Sequence, residues 1–179
     1  MRQTWRNMSR HDSFHVGEKQ AQDRWETADI WDDARKQRLL WDHIPREFHP
    51  RISNAPFFFL ASSDSEGHCD CSFKGGGPGI IHIMDERQFA FPDFDGNGAF
   101  MSLGNILLNP YVGILFIDFS DGARLRVNGR ATIHEQGEIQ QLFPDSDRVV
   151  SVEVQQVVPN CSAHVPKLLP VGRDENGKS

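Results

Sequence analysis

Residues 124–130, RLRVNGR, alternate polar and apolar side chains one by one. A period of two is met only by an extended strand with one covered face. Arg124, Arg126, Asn128 and Arg130 then line one face, and Leu125, Val127 and Gly129 the other. The remaining apolar runs are equally short. Residues 56–63, PFFFLASS, sit between turn residues and read as a buried strand. Asp64-Ser65-Glu66-Gly67 supplies a turn, and His68–Lys74 returns as a hairpin partner. Along that partner Cys69, Cys71 and Phe73 share one face, while Asp70, Ser72 and Lys74 share the other. A second hairpin joins Ile80–Met84 to Gln88–Phe91. Val112–Phe119 is apolar almost throughout, which suits a central strand or one at a subunit interface, and Val149–Val158 gives the last strand. Six or seven short strands with few helices predict a mainly β, α+β chain built as a closed or split antiparallel barrel.

Two segments read as helical. Trp25, Ala28, Trp31, Arg35 and Leu39 recur at three- and four-residue spacing, predicting an amphipathic helix within Gln20–Ile44 that covers one end of the sheet and stops before Pro45. Ser102–Leu108 predicts a short helix ended by Asn109-Pro110. Residues 1–19 form an arm whose only distinctive knot is Phe14-His15-Val16-Gly17-Glu18, residues 20–170 form one domain, and residues 171–179 form a polar, disordered tail. The 179 residues suffice for a single core.

Charge and composition narrow the function. A net charge of -6 opposes general binding to nucleic acid or to an anionic membrane surface. No apolar run is long enough to span a bilayer, and MRQTWRNMSRHD has no signal-peptide core, so a cytoplasmic protein is expected. Cys69, Cys71 and Cys161 are odd in number, and reduced core thiols are the expectation. Cys69 and Cys71 could chelate together from one strand face, but they lack a second ligand pair, so no metal is assigned. No Ser-His-Asp order, paired carboxylates or nucleophilic cysteine signature supplies a catalytic residue.

Unusual chemistry gathers between Ser72 and Asn109. Four glycines and a proline occupy Gly75–Gly79, where bare backbone can turn sharply or approach a ligand. The run has neither the dinucleotide spacing nor a following Gly-Lys-Ser/Thr, and alone it reads as a turn. Joined to Ser72 and Lys74 before it, and to Gly96-Asn97 and Ser102-Leu103-Gly104-Asn105 after it, it reads as part of an anion site. Hydroxyls, amides, a cation and free helix-start N–H groups are what a phosphate ester takes.

The segments FHVGE, ASSDSEGHCDCSFKGGGPG, FPDFDGNGAFMSLGNILLNPYVGILF and RLRVNGRATI, spanning residues 14–134, resemble in order and spacing the FMN-binding split-barrel family related to pyridoxamine 5'-phosphate oxidase. The resemblance implies a homodimer with FMN at the subunit interface and a small-molecule redox substrate. It implies that Ser72, Lys74, Ser102 and Asn105 hold the phosphate, with Pro92, Asp93 and Asn97 near the ring or ribityl chain. Arg124 and Arg126 match the strand that reaches the flavin, where a cation beside the pyrimidine end of the ring would favour the reduced, anionic form. The chain ends VPKLLPVGRDENGKS, without the Arg-Leu signature with which the oxidases hold substrate phosphate. The expectation is therefore a related FMN-dependent oxidoreductase rather than that enzyme. The alternative is a non-catalytic module carrying flavin, haem or deazaflavin, as relatives of this scaffold do.

Overall fold

A computed structural model of the chain describes residues 13–94, 96–160 and 162–168. The tail at 171–179, Cys161 and the first part of the arm lie outside them. The elements run α1 (Val16–Arg24), α2 (Asp33–Leu39), α3 (His49–Ser53), β1 (Phe57–Ser63), β2 (Cys69–Gly75), β3 (His82–Asp85), β4 (Gln88–Asp93), α4 (Met101–Leu108), β5 (Tyr111–Ile117), β6 (Arg124–His134) and β7 (Arg148–Asn160).

The seven strands form one sheet in the order β2-β1-β5-β6-β7-β4-β3, every pair antiparallel. In that order β2 and β4 stand five places apart. A flat sheet with strands about 4.8 Å apart would separate them by about 24 Å. Instead Lys74 Nζ on β2 lies 3.3 Å from Asp93 Oδ1 on β4, and the Phe58 ring on β1 meets Phe91 on β4 at 4.9 Å between centroids. The sheet has rolled until its ends meet, which is the split barrel. Phe58, Leu60, Phe89, Phe91, Ile114, Phe116, Leu125 and Val127 fill the interior. Burying each such side chain contributes about 2 kcal/mol.

The alternation read from RLRVNGR holds: Leu125, Val127 and Gly129 are buried between half-buried or exposed polar residues. Between Asn128 and Gly129 the β6–β7 register shifts, so Asn128 faces Gln156 while Gly129 faces Val154. That bulge bends the long β6–β7 ribbon around the core. At the β1–β2 turn Asp64 Oδ1 accepts from the N–H groups of Glu66, Gly67 and His68, and Gly67 takes φ +95°. The His68 ring, 2.8 Å from Oδ2, and then the backbone donors hold the Asp64 carboxyl down to about 2.

Three expectations change. The region Gln20–Ile44 is no single helix: α1 ends where Glu26 takes φ 54°, a 3-10 turn follows at Ala28–Ile30, and α2 is short. Neither helix has a buried residue, and Trp25 and Ala28 between them are exposed and Trp31 half-buried, so their apolar spacing does not mark a buried helical face. The helix instead starts at Val16, inside the expected arm, because FHVGE is a helix cap. His15 Nδ1 accepts from Gly17 and Glu18 N–H, while Glu18 Oε2 accepts from His15 N–H. Finally, Cys69 and Cys71 are exposed rather than core thiols, since β2 is an outermost strand whose Asp70, Ser72 and Lys74 face inward.

Candidate functional site

Where the rolled sheet meets itself, β2, β4, β7 and α4 converge. Extended backbone points Asp70, Ser72 and Lys74 to one side of β2, opposite Ser62, Leu60 and Phe58 of β1. Helix α4 lies across that side, the Ser72 and Ser102 hydroxyl oxygens 2.9 Å apart. Ser102 donates to Asp70 Oδ2 at 3.3 Å, so Ser72 is left to donate to Ser102. Asn105 Nδ2 donates to Ser62 Oγ at 3.1 Å, pinning the middle of the helix to β1.

The cations gather at Asp93. Its carboxylate, only 7% exposed, has Lys74 Nζ 3.3 Å from Oδ1 and Arg148 Nε 3.5 Å from Oδ2. The Lys74 and Arg148 side chains keep 22% and 19% of their surface in water. Arg148 also stacks over the Phe100 ring at 4.9 Å. Phe100 is the N-cap of α4, in the left-handed region at φ 49°, and it makes no side-chain cap hydrogen bond. The first N–H groups of the helix are thus free of a capping side chain, next to the Arg148 guanidinium over Phe100.

Of the residues singled out from sequence, Ser72, Lys74, Asp93, Ser102 and Asn105 come together here. Pro92 lies within β4 and not in a loop after it, paired with Val149 as Asp93 is with Arg148. Asn97 is exposed, and its Oδ1 accepts from Ala99 N–H at 3.0 Å in the turn leading to α4. Arg124 and Arg126 do not join the cluster. Lys74 faces Phe58, Phe58 packs on Phe116, and Phe116 faces Leu125; the two arginines flank Leu125 on the opposite sheet face, on the third strand along from β2. Arg126 Nε donates to Asn160 Oδ1 at 2.9 Å.

The glycine run is a structural turn. Gly76 and Gly77 N–H donate to Pro56 O, and Gly79 N–H to Ser53 O, so these amides do not cradle a ligand. Gly77 and Gly79 take φ +89° and +92°. A Cβ on Gly76 would lie 2.9 Å from the Phe94 ring and strike Ile80 Cγ2. A cleft of about 790 Å³ opens on the far side, lined by His49, Asn54, Pro78, Gly79, His82 and Asp85 among others. None of the clustered residues borders it, so the convergence of donors and not that cleft marks the site.

Sequence reading assigns no role to Arg148 or Phe100 and places Asp70 only on the face of Ser72 and Lys74. Arg148 opens an apolar strand like any solvated end residue, and only the β4–β7 register brings it to Asp93. Two cations, two hydroxyls and an uncapped helix start suit a phosphate ester entering on the Lys74–Arg148 side, where it would compete with the Asp93 carboxylate for the cations. Among the described residues no three His, Cys, Asp or Glu side chains gather as a metal-ligand set, and no helix is long and apolar enough to cross a membrane.

The model of the family described as pyridoxamine 5'-phosphate oxidase matches residues 44–161. No curated protein matches the chain. Among solved structures, HupZ of Group A Streptococcus has a TM-score of 0.53 at 20% identity, covering 64% of this chain and 91% of that one. A Lactobacillus delbrueckii protein named for pyridoxamine 5'-phosphate oxidase gives 0.53 at 17%, covering 65% and 94%. An FMN-binding protein of Syntrophomonas wolfei gives 0.52 at 9%, covering 81% and 97%. At such identities these likenesses show a shared fold.

Proposed function

This chain belongs to the pyridoxamine 5'-phosphate oxidase family, and on that premise we propose that it is a homodimeric FMN-binding oxidoreductase acting on a small molecule. The observation that carries the reading is the contact of Ser72 with Ser102 in the uncapped first turn of α4, with Lys74 on the same face of β2 as Ser72. The Syntrophomonas wolfei protein that shares the fold is FMN-binding by name. Lys74 and Arg148 would pair with the phosphate charge, and the Ser72 and Ser102 hydroxyls would donate to its oxygens. FMN supplies hydride or electron-pair transfer when bound, and the chain's part is to anchor and orient it.

A second subunit fits two features. Met101, Leu107 and Leu108 of α4 are 62%, 75% and 68% exposed, apolar side chains that a second subunit would cover. Arg124 and Arg126 lie on the outer face of the sheet, opposite the interior face that carries Lys74, so a partner chain would supply the arginines beside the ring. Sedimentation equilibrium should give twice the 20.3 kDa chain mass; a monomer at micromolar concentration removes the dimer from this reading.

The anchoring is tested by Lys74→Ala combined with Ser102→Ala. Losing one charge-assisted and one neutral hydrogen bond to phosphate removes about 3 kcal/mol, so FMN affinity should fall about 100-fold while riboflavin, which lacks the phosphate, changes little. Undiminished FMN affinity in the double variant sinks the scheme. Anaerobic bleaching of bound flavin by a reductant, with repeated reoxidation, separates turnover from simple carriage.

A further inference from the structure

We propose that Cys69 and Cys71 form a two-coordinate site for a soft monovalent cation of the Cu(I) class. This does not rest on the flavin reading, because both thiols lie on the face of β2 opposite Ser72 and Lys74. Neither is in a disulfide and both are exposed, the Cys69 thiol donating to Gly67 O at 3.5 Å, and β2 is an outermost strand, so an ion reaches them without opening the barrel. Their cross-strand neighbours are small: Ala61 faces Cys71 and Ser63 faces Cys69. Phe73, exposed and stacked on Phe57 at 5.3 Å, closes the strand end beyond Cys71.

Geometry selects the ion. Alternate residues on a strand lie about 6.6 Å apart, whereas a disulfide wants its Cβ atoms near ~3.8 Å, so the pair does not close on itself without bending β2. An ion holding two sulfurs on opposite sides spans the gap once both thiols turn inward, a metal–thiolate bond being about 2.3 Å for zinc and similar for other first-row ions. Zinc wants four ligands in a tetrahedron, and no third metal-ligating side chain joins a set among the described residues. The nearby His68 ring is engaged by Asp64. Thiolate softness with only two donors favours Cu(I) over Zn(II). Binding displaces the thiol protons, so affinity rises with pH.

The test is Cu(I) titration of the full-length, reduced protein against bicinchoninate as competing chelator. The expected result is one tightly bound ion per chain, two sulfur neighbours and no nitrogen by X-ray absorption, and affinity lost at least 100-fold in both Cys69→Ser and Cys71→Ser. Cys161→Ser, outside the described residues, should bind as the parent does. Because the two positions are exposed, both serine variants should keep the parent melting temperature, which separates lost ligation from lost folding. Unchanged affinity in either single variant, loss in Cys161→Ser, or three or more ligands at the ion overturns the proposal.

Discussion

Gly129→Ala is expected to lower the melting temperature by about 10 °C. A Cβ built on Gly129 strikes the Glu153 carbonyl oxygen and lies 2.8 Å from Val152 Cγ1. The oxygen belongs to backbone in the most extensively paired ribbon of the sheet, so it cannot swing aside as a side-chain end would. Relief requires the bulge to open, breaking ladder hydrogen bonds and shifting Val152 and Val154 out of the interior. Overpacking of this kind costs about 3 kcal/mol, and a chain of this length loses about 3 °C per kcal/mol. Gly104→Ala is the control: nothing lies within 4 Å of its added Cβ, and in the middle of α4 alanine should gain up to about 1 kcal/mol of helix propensity. Equal melting temperatures for the two variants would show that the β6–β7 bulge yields freely. The glycine of RVNG is then a requirement of strand curvature, although it sits in a segment whose resemblance is to a flavin-binding strand.

That distinction marks what could be read from the residues alone. Local alternation made the faces of β2 and β6 legible, and the apolar runs located β1, β5 and β7, since those signals lie within a few consecutive residues. Strand order and closure were not legible, because they depend on pairings far apart in sequence. The thiols show the consequence. Alternation correctly put Cys69 and Cys71 on one face, but whether that face meets the core or the solvent depends on β2 being outermost. Arg148 was missed for the same reason: its nearness to Asp93 is written in the β4–β7 register. The first helix failed differently. Residues at helical spacing satisfied the pattern over Gln20–Ile44, yet Trp25 and Ala28 are exposed, Trp31, Arg35 and Leu39 only half-buried, and the left-handed Glu26 interrupts the segment. Of the site, Ser72, Lys74 and Ser102 were readable from hydroxyl and cation placement beside a helix start; their partnership with Asp70, Asp93 and Arg148 was not.

Asp93→Ala should destabilise the apo protein and at the same time enlarge its stabilisation by anions. Removing a buried carboxylate between Lys74 and Arg148 leaves two cations without their counter-charge. A fully buried pair broken this way costs about 3–5 kcal/mol. Both cations here keep contact with water, so about 2–3 kcal/mol is expected after solvent screening, a fall of roughly 6–10 °C. The vacated space is then anionic by preference. Inorganic phosphate should raise the melting temperature of the variant more than that of the parent, since stabilisation grows with ligand concentration over its dissociation constant, and that constant should be smaller without the competing carboxylate. If Asp93 instead touches the ring or ribityl chain, as the family resemblance implies, the variant would lose affinity for FMN and riboflavin alike and gain nothing from phosphate. Melting curves with phosphate, riboflavin and FMN therefore decide between a carboxylate that holds the anchoring cations in place and one that meets the cofactor itself.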